Sequence, residues 1–323
     1  GALFNINEGG MLLIEGKSEQ NKIILDGLSL SHKGNLLYNY KGVFKGNYLS
    51  LQNNYNSDSN GGAIWGLSST IELNNSLIYN NYATNGGGYF GQMPNGRMSA
   101  TFTNVVFDSN RAVDGAGVRN LGVVTLNDCE IKNCHSTKNG GGISNDGGGQ
   151  SYIKGTKIIN NIADNMGGGF YIDGTTSLTS VEISSNEANI GGGLAFSGGN
   201  NARVLTVESG TVIKENNAYL YGGGIYMEKG SFNLNGAEIY DNQINSTKSL
   251  SASNYSDALF IENDNNKENK FAICEEEETS IAKWNLIYLN LISKKPDIYI
   301  NENQIIKYIN EFKSVNLDNI LDK

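Results

Sequence analysis

Acid–base chemistry on a polymer needs carboxylates in pairs. Within the clear repeats the densest acidic group is Asp108, Asp114, Asp128 and Glu130, with Arg111 and Arg119 close by in sequence. Hydrolysis of a glycosidic bond asks for two carboxylates ~5–10 Å apart, and elimination asks for a cation-bound acidic cluster beside a basic residue. The group is spread over 23 positions (130 − 108 + 1) and reads more simply as a charged surface. Only two histidines exist, His32 and His135, far apart, so Ser-His-Asp and metal chemistry lack their usual residue. No catalytic residue and no metal ligand is therefore assigned. Calcium in the Asp/Asn-rich turns stays open as a cofactor.

Cys129, Cys134 and Cys274 form no zinc pattern and no disulfide framework. Cys129 and Cys134 fall at positions read as inward, so buried thiols are expected, with a disulfide between them as the alternative.

What must position these residues is a repeat. Gly-Gly-Gly-Ile at Gly222 has six relatives, starting at Gly61, Gly86, Gly115, Gly140, Gly167 and Gly191, spaced 25, 29, 25, 27, 24 and 31 residues apart. That period belongs to solenoids. Ahead of each triplet an apolar residue is followed three positions later by Asn, then often by Ala: Asn54, Asn81, Asn110, Asn161, Asn186, Asn216 and Asn242, with Cys134 in the same place in one repeat. One asparagine per turn at one phase predicts a ladder of stacked side-chain amides. The competing reading is that Asn marks a left-handed turn.

The segments between alternate apolar and polar, as in Ser231 to Ile239, which is the strand period. Pairs such as Val105/Phe107, Thr156/Ile158 and Val181/Ile183 are expected inward, with Glu130, Lys157 and Glu182 outward on a solvated face. Three strands per repeat, one after the glycines, one in mid-repeat and one at Ile-x-x-Asn, predict an all-β, right-handed parallel β-helix. Roughly ten coils would make a rod about 48 Å long. The glycines are placed at a tight corner needing positive φ or close approach.

The helix is expected over 1–260, with degenerate repeats before residue 50. Residues 261–323 are expected to add C-terminal coils and a cap, with a short helix at Asn303 to Phe312; a separate small domain is the alternative.

Gly61-Gly62-Ala63-Ile64 and Phe107-x-x-Asn110 resemble the GGAI and FxxN repeats of the chlamydial polymorphic outer-membrane proteins, and the wider class of Gly/Asn-rich bacterial β-helix surface proteins. The resemblance covers about residues 50 to 245. It implies an exported, surface-displayed, adhesin-like rod, and it carries over no catalytic residue. The Lys/Asn-rich composition, the few cysteines and the absence of a visible membrane barrel depart from that pattern.

A net charge of −9 disfavours nucleic acid and anionic membrane as partners. No apolar run approaches the ~20 residues of a membrane span. The chain opens on Gly1 and reads as a processed chain or fragment, expected to be monomeric and to work outside the cell or on its surface. The residue after each triplet's apolar residue should face out: Trp65, Phe90, Arg119, Ser144, Tyr171, Ala195 and Tyr226. Trp65, Phe90, Arg119, Tyr171 and Tyr226 would make a stripe for a host glycan or protein. Alternatively these side chains stack on one another or lie under a loop. Three functions stay open: an adhesin, a polysaccharide lyase or hydrolase on the same fold, and a stalk.

Overall fold

The computed structural model describes residues 1–29, 34–94, 96–198, 203–228 and 230–245, and the backbone of three further strands, Leu259–Ile261, Asn269–Cys274 and Asp297–Tyr299. The strands form four parallel sheets of eight, nine, ten and eleven members, in which each strand pairs with its counterparts one repeat away. This is a parallel β-solenoid.

One coil shows the plan. After the glycine corner, Ile64–Leu67 lies on the first face, Thr70–Asn74 on the second and Leu77–Tyr79 on the third. These are the three expected strands. A fourth short strand, Tyr82–Asn85, fills the interval between the ladder asparagine and the next glycine. The next coil then stacks in register, Ile64 on Tyr89 and Ile71 on Ala100.

Alternation along each strand fills the interior. Ile78, Phe107, Ile131, Ile158, Ile183, Ile213 and Ile239 form one buried column on the third face. Burial of this apolar area at ~25 cal/mol per Å² is the main term holding the coils together. The outward residues Glu130, Lys157 and Glu182 are in register between them, as alternation requires.

Corners are set by backbone conformation. The first glycine of every triplet has φ between +61° and +68°, the region glycine enters without a Cβ penalty. The third glycine is there for space. A Cβ at Gly169 would lie 2.7 Å from the Gly193 carbonyl and 2.9 Å from the Asn186 amide nitrogen. The corner between the third and fourth faces is made by Asn53, Asn80, Ser109, Asn133, Asn160, Ser185, Glu215 and Asp241, all with φ of +52° to +56°. These residues immediately precede the ladder positions.

The first coil (Phe4–Ile6, Met11–Glu15, Ile23–Asp26) is atypical, as terminal repeats are expected to be. It is apolar outside as well as inside, with Met11 and Leu13 exposed. At the other end, Leu259–Ile261 continues the first face by pairing with Ile225–Met227. The sequence also reads Glu275 to Glu278 as an acidic loop and Trp284 to Ile292 as a strand; both, with the helix expected at Asn303 to Phe312, lie outside the described residues. Among the described residues no helix is long and apolar enough to cross a membrane.

Candidate functional site: the glycine-corner groove and the asparagine corner

Positive φ at the first glycine folds the end of the fourth face back against the start of the first. Side chains pointing outward from both converge, as where Met166, Ile190 and Tyr221 of the fourth face pack with Tyr171, Ala195 and Tyr226 of the first. Its first-face wall is a column in register from coil to coil: Tyr38, Trp65, Phe90, Arg119, Ser144, Tyr171, Ala195 and Tyr226. All five residues of the expected stripe stand in this column, but they are not an open surface. Phe90 is 4% exposed and Tyr226 6%, while Trp65 and Tyr171 are half-buried.

Neighbours in the column hold one another. Tyr38 meets Trp65 edge-on with ring centroids 5.0 Å apart, and Phe90 follows at 6.4 Å. The Arg119 guanidinium sits 5.9 Å from the Phe90 centroid, a cation–π distance. At the far end Ala195 and Tyr226 form an outer apolar cluster, against which Met166, Tyr171, Ile190 and Tyr221 pack. Tyr171 Oη donates to Ser197 Oγ at 3.2 Å.

Arg119 also organises the charges. Its Nε donates to Asp146 Oδ2 at 2.7 Å, and one terminal nitrogen lies 3.5 Å from Asp114 Oδ2 and also donates to Asn85 Oδ1. Lys138 approaches Asp114 at 3.8 Å. Burial raises the Asp146 pKa, and the neighbouring guanidinium works against that rise. Two carboxylates gripping one guanidinium are held as acceptors, which suits recognition better than proton transfer. Of the acidic group noted in the sequence, only Asp114 lies here. Asp108 and Glu130 are on the third face, and Asp128 is at the corner before it. Asp146 escaped notice because it is 27 residues from Arg119 in sequence and one coil away in space.

Inside the solenoid the asparagine column bonds from coil to coil. Asn186 Oδ1 accepts from the Asn161 backbone N–H (2.9 Å) and from Asn161 Nδ2 (3.0 Å). Asn186 Nδ2 donates to the Ile158 carbonyl (2.8 Å) and to Asn216 Oδ1 (2.9 Å). Asn81 stands in the same relation to Asn110, and Asn216 to Asn242. Asn54 begins the series, its backbone N–H donating to Asn81 Oδ1. Cys134 interrupts it. Its N–H still donates to Asn161 Oδ1, but its thiol turns to the Lys132 carbonyl at 3.2 Å. Cys129 and Cys134 are both free and buried, and burial pushes each thiol pKa up to about 12.

The corner between the third and fourth faces carries a feature that the sequence reading missed. The residue after each ladder asparagine points outward, so Tyr55, Tyr82, Arg111 and His135 form a column. The Tyr55 and Tyr82 rings are stacked, with centroids 4.7 Å apart and planes 12° apart. Beside them the exposed Asn80 donates its amide to Asn53 Oδ1 at 2.8 Å. A cavity of about 390 Å³ lies between the two columns. The signal was available in the sequence at the position following each asparagine.

Among the described residues no three His, Cys, Asp or Glu side chains converge as a metal site. No family model matches the chain, and neither a curated protein nor a solved structure does.

Proposed function

We propose that this chain is an adhesin-like rod, displayed outside the cell or on its surface, that binds a host or matrix glycan or protein. The observation that carries the reading is the glycine-corner groove. It runs parallel to the rod axis through eight coils in register, from Tyr38 to Tyr226. It mixes half-buried rings with the Arg119 cluster. A groove of that direction suits an extended polymer, with rings to stack on and fixed polar groups to orient it. The likeness of Gly61 to Ile64 and Phe107 to Asn110 to the GGAI and FxxN repeats of the chlamydial polymorphic outer-membrane proteins points the same way.

The test is an array of glycans and matrix proteins probed with the purified chain, with and without calcium. A hit that is lost in a Trp65→Ser/Tyr171→Ser double variant supports the groove as the binding surface. A hit that the double variant retains refutes the groove. A blank array from a folded rod overturns the adhesin reading in favour of a stalk. Depolymerisation of an acidic polysaccharide, lost on Asp114→Asn, overturns it in favour of an enzyme.

A further inference from the structure

We propose that the corner between the third and fourth faces holds a second binding site, for a sugar bearing a carboxylate or sulfate group. This site is separate from the glycine-corner groove and does not depend on it.

The cavity of about 390 Å³ at this corner lies near the lower end of ligand-pocket sizes, roughly 300–1,000 Å³. Its walls are of two kinds. One is aromatic: the stacked Tyr55 and Tyr82, of which Tyr55 is 41% exposed. Two large rings held parallel at a surface present C–H-binding π area and phenol hydroxyls together, the combination that carries sugar rings. The other wall is the amide column of Asn53 and Asn80, whose forked donors and acceptors match vicinal hydroxyls.

Charge gives the ligand its sign. Arg111 occupies the column one coil beyond Tyr82 and lines the same cavity. Its side chain is exposed and has neither an ion pair nor a hydrogen bond among the described residues. Asp26 accepts from Gln52 and Asn53, and Asp108 from Ser109 and Asn133, and neither is paired with Arg111. In a chain of net charge −9, an uncommitted guanidinium beside a ring platform selects an anion. Its planar fork fits a carboxylate or sulfate edge.

The floor is closed by the first of the ladder amides. Asn54 is 1% exposed and lines the cavity, and its Oδ1 is the one ladder oxygen without a donor among the described residues. In the ladder positions from Asn81 onward, the equivalent oxygen is filled by the preceding coil, as Asn110 Oδ1 is by Asn81. The coil before Asn54 presents Gly27 there instead. That oxygen is shut inside the stack, so the ligand contacts rest with the rings, the outer amides and Arg111.

The experiment is calorimetric titration of the whole chain with a sulfated heparin-derived tetrasaccharide, an oligogalacturonate tetrasaccharide and neutral cellotetraose. An acidic peptide serves as a fourth probe. Binding of at least one anionic saccharide over cellotetraose is expected. Arg111→Ala should weaken it about ten- to hundredfold, the range for one charge-assisted hydrogen-bonding group, and Tyr55→Ser should weaken it as well. The sulfate and carboxylate arms separate the two anion types. Trp65→Ser, in the groove, should leave this binding unchanged, so failure here and failure of the groove are told apart. No saccharide binding, binding indifferent to both Arg111→Ala and Tyr55→Ser, or binding of the acidic peptide alone overturns the proposal. Circular dichroism on each variant excludes misfolding, because Arg111 and Tyr55 are exposed.

Discussion

Replacing Asn186 with alanine should show what the buried amide column contributes. The substitution deletes four hydrogen bonds: two accepted from Asn161 and two donated, to Ile158 and to Asn216. Asn216 Oδ1 keeps one donor, the Asn186 backbone N–H at 3.0 Å. Asn161 keeps its amide bond to the Ile131 carbonyl. The Asn161 N–H is left wanting, the Ile158 carbonyl keeps its sheet bond but loses a second donor, and two neighbouring amides lose one bond each. One orphaned buried group costs ~1–3 kcal/mol and each further lost bond ~0.5–1.5 kcal/mol, so the loss should be roughly 2–5 kcal/mol. That is a large share of a typical ~5–15 kcal/mol of stability. In a solenoid each coil leans only on its neighbours, so the damage should be local. Hydrogen exchange should accelerate first in the coils of Asn161, Asn186 and Asn216. The control is Asn189→Ala, an exposed asparagine three residues on, whose amide bonds only the Asp164 carbonyl. Urea unfolding followed by circular dichroism gives both values. If Asn186→Ala falls within about 0.5 kcal/mol of the parent, as a surface change would, the column is not a load on stability and the reasoning fails.

The interruption at Cys134 predicts the converse. Cys134→Asn should give Asn110 the acceptor that Asn81 and Asn186 find in their neighbours, raising stability by about 1 kcal/mol; a loss of that size in urea would mean the site is shaped for sulfur. Tyr89 is fully buried, its hydroxyl has no partner among the described residues, and burial raises its pKa. Tyr89→Phe should therefore be neutral or stabilising by ~1 kcal/mol, and marked destabilisation would reveal a hidden partner. Cys129 and Cys134 should resist a thiol reagent at pH 8 until the chain unfolds. Their folded pKa of about 12 stands above the ordinary thiol value of 9.0. The unfolded state therefore releases these protons first, and the stability they contribute is full below pH 9 and falls as pH rises toward 12. Rapid labelling of the native chain would contradict the burial.

Much of this molecule is local, and the sequence carries it. The glycine period places the corners, and alternation separates Ile158 and Ile183 from Lys157 and Glu182. The phase of the asparagines sets one amide per coil. Each follows from steric and solvation rules that act within a single repeat. Even so, the sequence merged the turn with the amide. Asn53, Asn80, Asn133 and Asn160 hold the left-handed φ, whereas Asn54, Asn81 and Asn161 hold the interior bonds. Only backbone dihedrals separate two adjacent asparagines with different tasks.

The exterior is another matter. Trp65, Phe90 and Tyr226 point outward by alternation, and Tyr55 and Tyr82 do so equally. The first column is covered because the end of the fourth face packs against it, Met166, Ile190 and Tyr221 on Tyr171, Ala195 and Tyr226. In the second, Tyr55 and Arg111 stay exposed. Likewise Arg119 could be numbered from the sequence, but its partner Asp146 could not, since the pair is made by winding the chain once around the core. Composition and period determined that this is a stacked parallel β-structure with a dry, amide-laddered interior. Which outward side chains meet, and which stay open to a ligand, was decided by how neighbouring faces pack across each corner, a relation that exists only once the coils are closed and stacked.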